Sequence, residues 1–115
     1  MNEYIKPFVV KFPQLEKTVL EEFDVYTEIV PYYDFFAFVI EPLMEECISN
    51  KDKQNLKSLF FLVEEFLSEQ SVERDDAISN TVFEGFCAEI QKDNYDVLFG
   101  THTASLWKEF LENPF

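Results

Sequence analysis

Apolar side chains recur along this chain at intervals of three and four residues, and prolines or short polar stretches break the recurrence. That period places them on one face of a helix. A short first segment covers Glu3 to Phe12, where Pro7 is tolerable only near a helix start. Pro13 can open a second helix running to about Phe23 or Tyr26, with Leu15, Val19, Leu20 and Phe23 as its stripe. Pro31 can open a third, from Tyr32 to about Ile48, burying Phe35, Phe36, Val39, Ile40, Leu43, Met44, Cys47 and Ile48. Pro42 lies inside that run and predicts a kink or break near Ile40 and Glu41, because proline removes a hydrogen bond and clashes with the preceding turn. Asp52 is placed to cap a fourth helix, Lys53 to Glu69, whose Leu56, Leu59, Phe60, Val63, Phe66 and Leu67 describe the clearest single face in the chain. The polar stretch from Ser68 then leads to a fifth helix, about Asp75 to Gln91, carrying Ile78, Val82, Phe83, Phe86, Cys87 and Ile90. Gly85 sits among them and suggests close helix packing, since mid-helix glycine otherwise costs about 1 kcal/mol. Asp93 to Phe99 reads as a loop with one helical turn, and Gly100 fits a position just past a helix end. Thr101 or Thr103 would cap a last helix with Leu106, Trp107, Phe110 and Leu111, stopped by Asn113 and Pro114.

The expected fold is therefore all-α: a single domain, residues 1–115, of five to six helices. The fourth and fifth form a pair whose length, about 40 residues, resembles a HEAT-type repeat. Asn-Gly and Asp-Gly hairpin turns are absent, and the only glycines are Gly85 and Gly100. This argues against a hairpin-rich sheet and excludes a glycine-rich phosphate cradle. No apolar run reaches the roughly 18 residues of a membrane span. The N-terminal stretch lacks a basic region and a small-residue cleavage site, so no secretory signal is expected and the expected compartment is the cytoplasm. Cys47 and Cys87 lie among apolar residues and read as reduced, buried thiols.

Charge narrows the field. Among 115 residues there are 23 Asp and Glu against 9 Lys and Arg, a net charge of −14. The apolar fraction of 47% keeps this chain out of the disordered class, where high charge goes with few large apolar residues. The deficit of cations argues against direct contact with nucleic acid or an anionic membrane. Catalytic groupings are sparse. His102 is the only histidine, and a Cys–His pair or a zinc site would need one or both distant cysteines beside it. Adjacent acidic pairs such as Glu64 and Glu65 point about 100° apart on a helix and do not converge. No enzyme activity, cofactor or metal is expected.

The charge is unevenly placed. Between Lys17 and Lys51 lie 33 residues with no cation and eight acids: Glu21, Glu22, Asp24, Glu28, Asp34, Glu41, Glu45 and Glu46. Asp75 to Gln91 adds Asp75, Asp76, Glu84 and Glu89, again with no cation. Acids of the second, third and fifth helices can thus form one field. Such a field keeps a protein soluble, or steers a basic partner into place. Tyr26, Tyr32 and Tyr33 flank the acidic stretch, and Phe61 faces away from its helix stripe; tyrosine among carboxylates is a mixture found at interfaces. The candidate contacts are Asp24, Glu28, Tyr33, Asp34, Glu41, Glu45 and Glu84.

The segments Leu59-Phe-Phe-Leu-Val-Glu-Glu-Phe-Leu67 and Asp75-Asp-Ala-Ile-Ser-Asn-Thr-Val-Phe-Glu-Gly-Phe-Cys-Ala-Glu-Ile90 resemble a small all-helical family of bacterial proteins. The shared positions in the second segment are Asn80, Val82, Phe86, Glu89 and Ile90. The close, Leu98-Phe-Gly-Thr-His-Thr-Ala-Ser-Leu-Trp107, is similar to that family's ending, with Thr101 in place of its usual proline, and Phe12-Pro-x-Leu15 is similar to its opening. The resemblance implies a small acidic immunity protein of polymorphic or contact-dependent toxin loci. It would bind and neutralise a basic toxin domain, a nuclease being the expected kind. It carries over no catalytic residue. The alternatives are a helical adaptor whose acids only solubilise it, and an enzyme with a deep polar pocket near His102 or a carboxylate pair.

Overall fold

A computed structural model describes residues 1–24 and 28–113. Tyr26 and Pro114, named above, lie outside the described residues. Six helices follow one another, and no strand occurs among the described residues. Helix α1 is Lys6–Lys11 and α2 is Leu15–Glu22. Helix α3 is continuous through Tyr32–Phe35, a π-helical turn Phe36–Ile40, and Glu41–Ser49. Helix α4 is Lys53–Leu67. Helix α5 runs through Val72–Ile78, a π-helical turn Ser79–Phe83, and Glu84–Lys92, with a kink at Phe86. A 3₁₀ turn, Tyr95–Leu98, leads to α6, Thr101–Glu112.

Local chemistry accounts for most of these boundaries. The Asp52 carboxylate accepts from the Asn55 amide at 3.1 Å, capping α4 as expected. Ser71, in extended backbone, caps α5 by accepting from the Arg74 amide, so α5 starts three residues before the expected Asp75. Where Pro42 predicts a kink or break, near Ile40 and Glu41, the helix does not end but departs from α-geometry in a π-helical turn. Glu41 N–H reaches back five residues to the Phe36 carbonyl, and this widened turn absorbs the proline ring that a regular α-turn would push against the Phe38 carbonyl. In α5 the corresponding wide turn coincides with Thr81. Its hydroxyl donates to the Ala77 carbonyl at 2.6 Å, competing there with the regular backbone ladder. Gly100 stands just past the 3₁₀ turn, as expected, but not in the left-handed conformation of a helix-ending glycine. It precedes α6 in extended backbone, φ −79° and ψ −177°.

The stripes read from the sequence form the core. All six stripe residues of α4 are buried, as are Phe35, Phe36, Val39, Ile40, Leu43, Met44 and Cys47 of α3. Two expected core leucines, Leu20 and Leu111, are instead about two-fifths exposed, at 43% and 41%. Helix α4 is central: it packs against α1, α3, α5 and α6. Two clusters of aromatic rings meet on it. Phe66 joins Tyr4, Tyr32 and Phe36, while Phe60 leads through Phe99 to Phe83, Trp107 and Phe110. Most of these contacts are edge-to-face or tilted, the arrangement that the ring quadrupole favours, at about 0.5–1.5 kcal/mol each beyond area burial. This is where much of the aromatic content of the chain is used. Cys47 is buried and Cys87 only half-buried; both are free thiols.

Helices α3 and α5 lie side by side in parallel. Tyr32–Phe35 packs on Val72–Ile78, the two π-helical turns touch, and beyond them Glu41 meets Gly85. Their inner faces rest on α4 and their outer seam faces solvent.

Candidate functional site

The C-terminal half of this seam opens into a cleft of about 450 Å³. Glu41, Glu45 and Glu89 line it with Ala37, Pro42, Ile48, Ser49, Gly85 and Phe86. Among the described residues, no cation lines it, and no hydrogen bond or ion pair engages the carboxylates of Glu41, Glu45, Glu84 or Glu89. Burial, and then the nearby Glu84 carboxylate, hold the Glu41 carboxyl above its ordinary pKa. Gly85 makes the space: a Cβ there would stand 3.0 Å from Glu41 Oε1. The backbone at Phe86, φ −130° and ψ 20°, departs from helical geometry beside it.

The N-terminal half of the seam opens into a larger groove, about 860 Å³, with mostly apolar walls. Met1, Tyr4, Ile29, Val30, Pro31, Tyr32 and Tyr33 form one side, and Glu73, Arg74, Asp76, Ala77 and Asn80 of α5 the other. Its one side-chain cation is already engaged. Arg74 ion-pairs with Glu69 at 3.1 Å, donates to the Phe66 carbonyl at 2.9 Å, and lies over the rings of Phe66 and Tyr32. The Tyr4 hydroxyl donates to the Val30 carbonyl at 2.7 Å, and Asn2 bonds both the Val30 amide and the Glu28 carbonyl, fastening this wall to the N-terminus. Burial, with Tyr32 and Asp34 adding to it, raises the Tyr4 pKa.

The seven candidate contacts are thus divided. Glu41, Glu45 and Glu84 gather at the cleft, Tyr33 lines the groove half-exposed, and Asp34 lies near Tyr4. Asp24 and Glu28 sit exposed in the segment before α3 and line neither cavity. Glu21 and Glu22 of α2 are also outside both, because α2 packs on α1 and on the π-helical turn of α3. The field read from sequence therefore contracts to α3 and α5. Glu89 and Asp76 join it, from the cation-free stretch Asp75 to Gln91, and so does Glu73, which lies beside Arg74 and carried no such signal.

One structurally important carboxylate has no signature in the local sequence. Glu64 of α4 takes the place of the expected Thr101 or Thr103 cap. It accepts from the amides of His102 and Thr103 at 3.1 and 2.8 Å and from the Thr103 hydroxyl at 2.9 Å, and His102 Nδ1 lies 2.7 Å from it. Burial pushes its carboxyl up, but the bonds from Thr103 and His102 outweigh this and hold it below the usual carboxylate range. His102 is thereby committed to a structural contact.

Among the described residues, no group of three or more His, Cys, Asp and Glu is placed to hold a metal ion, and no helix is long and apolar enough to cross a membrane. The fold and its seam define an all-helical protein with an acidic face. The chain belongs to the family described as Domain of unknown function (DUF7674), which it matches over residues 5–113. No curated protein and no solved structure matches it.

Proposed function

We propose that this chain is a non-enzymatic bacterial immunity protein, acting in the cytoplasm, that binds and neutralises a basic toxin domain, in particular a nuclease. The observation that carries this reading is the α3–α5 cleft, where unpaired carboxylates converge with no cation among them. A nuclease must present Lys and Arg to hold phosphates. Carboxylates can occupy those groups through charge-assisted hydrogen bonds, and the surrounding field speeds the encounter. The resemblance in the Leu59–Leu67 and Asp75–Ile90 segments points the same way.

The test is co-purification with a basic toxin domain encoded immediately upstream, repeated with Glu41→Lys, Glu45→Lys and Glu84→Lys. Each reversal is expected to weaken binding at least about tenfold, about 1.4 kcal/mol, and added salt to weaken the wild-type complex. Binding that ignores both salt and reversal would sink this reading. It would favour the helical adaptor, which the apolar groove supports.

A further inference from the structure

Helices α3 and α5 both contribute to the groove and to the cleft, the groove being completed by residues 1–4 and 29–31, and the inner sides of both helices are packed on α4. Tyr33, Ala37, Glu41 and Glu45 succeed one another along α3, with Asn80, Gly85 and Glu89 beside them on α5. From Tyr33 to Glu45 is twelve residues, about 18 Å at the rise of a helix. The two cavities differ in chemistry. The groove offers apolar walls, including Ile29, which is 91% exposed. The cleft offers carboxylates.

We infer that this seam is one bipartite docking surface for a basic amphipathic helix, which sets a large apolar side chain in the groove and a Lys or Arg in the cleft three turns away. Charge complementarity names the partner: Glu73 and Asp76 rim the groove, Glu41, Glu45 and Glu89 line the cleft, and the single lining side-chain cation is withdrawn onto Glu69. A helix suits the surface better than an extended strand. No strand occurs among the described residues, so no sheet edge is on offer, and a strand laid there would leave its own amides and carbonyls without a ladder partner. This inference rests on the immunity reading for the partner's basic character and adds its shape and spacing.

The experiment is selection from a displayed library of helical peptides of about 24 residues against the purified protein. Recovered sequences are expected to pair a large apolar residue with Lys or Arg about eleven residues away. Their affinity should fall at least about tenfold in the Ile29→Ser, Tyr33→Ser double variant and again in Glu45→Gln, Glu89→Gln. Only the second loss should shrink when salt is added, since screening removes what the cleft contributes and leaves apolar burial. These positions are exposed, so both variants should keep the wild-type helical spectrum and urea midpoint. No recovered binder, no preferred spacing, or indifference to either variant would overturn the inference. A toxin that binds through Glu41 and Glu45 but ignores Ile29→Ser, Tyr33→Ser would overturn it while leaving the immunity reading intact. Failure of toxin co-purification bears on that reading alone.

Discussion

Two glutamates illustrate opposite uses of a carboxylate. Glu64 gains from folding. Its oxygens satisfy two backbone amides and a buried hydroxyl at the start of α6, where the helix dipole also favours negative charge. Glu64→Ala would leave the fully buried Thr103 side chain without this acceptor, and is expected to cost about 2–3 kcal/mol in urea unfolding. Because the folded pKa of Glu64 is depressed, its contribution is fully present above the unfolded value near 4.5 and is lost as pH falls through the folded one. Glu64→Gln should therefore flatten the acid limb of the stability curve below about pH 4.5. Glu41 loses from folding. Its folded pKa is raised, so its cost develops as pH rises from the unfolded value through the folded one, and persists at neutral pH. Glu41→Gln is expected to raise the urea midpoint at pH 7 while weakening partner binding. A stabilising substitution that also abolishes binding is what a site held for function predicts; a lowered midpoint would argue against it. Glu41 was legible as one acid in a cation-free run. Glu64 was not, because a carboxylate that caps a helix 38 residues away leaves no local pattern.

At the scale of the element, most stripe positions are buried, Leu20 and Leu111 excepted, because burial of an apolar face decides helix position and periodicity records that directly. The boundaries that shifted were those set by backbone hydrogen bonding. Pro42 predicts a kink or a break in α3; the structure answers with one wide turn that keeps the helix unbroken, and a matching turn in α5 lies beside it. Continuity matters to function, since it lets Tyr33 and Glu45 stand on one rod. Gly85 is the most informative single position here. Gly85→Ala should gain up to about 1 kcal/mol of helix propensity, and the added Cβ meets only the end of the Glu41 side chain. Stability is therefore expected to hold or rise while the cleft narrows and cation binding falls. Thermal unfolding and affinity measured on the same variant separate the two effects; a large loss of stability would show that Gly85 serves packing alone.

At the scale of the whole molecule, the net charge of −14 is a standing repulsion that the fold tolerates. The acids are not spread evenly: residues 75–96 carry a net −5, and residues 51–74, which include α4, carry −1. Screening should relieve that repulsion, so Tm is expected to rise as ionic strength goes from about 0.01 to 0.5 M, with the Debye length falling from about 30 Å to a few ångström. A falling Tm would mean that attractive pairs dominate, against the few ion pairs seen, of which those at Lys6 and Lys17 are exposed. The chain by itself determined that the protein is helical, which faces are buried, and that its second, third and fifth helices are poor in cations. These are properties of composition and of period, and both are written locally. Only the tertiary structure decided that α3 and α5 lie parallel, that their acids converge while those of α2 do not, and that Glu64 of α4 caps α6. The reason is physical: a side chain's register along its own helix is set by its neighbours in sequence, but what it faces is set by which helix packs against it.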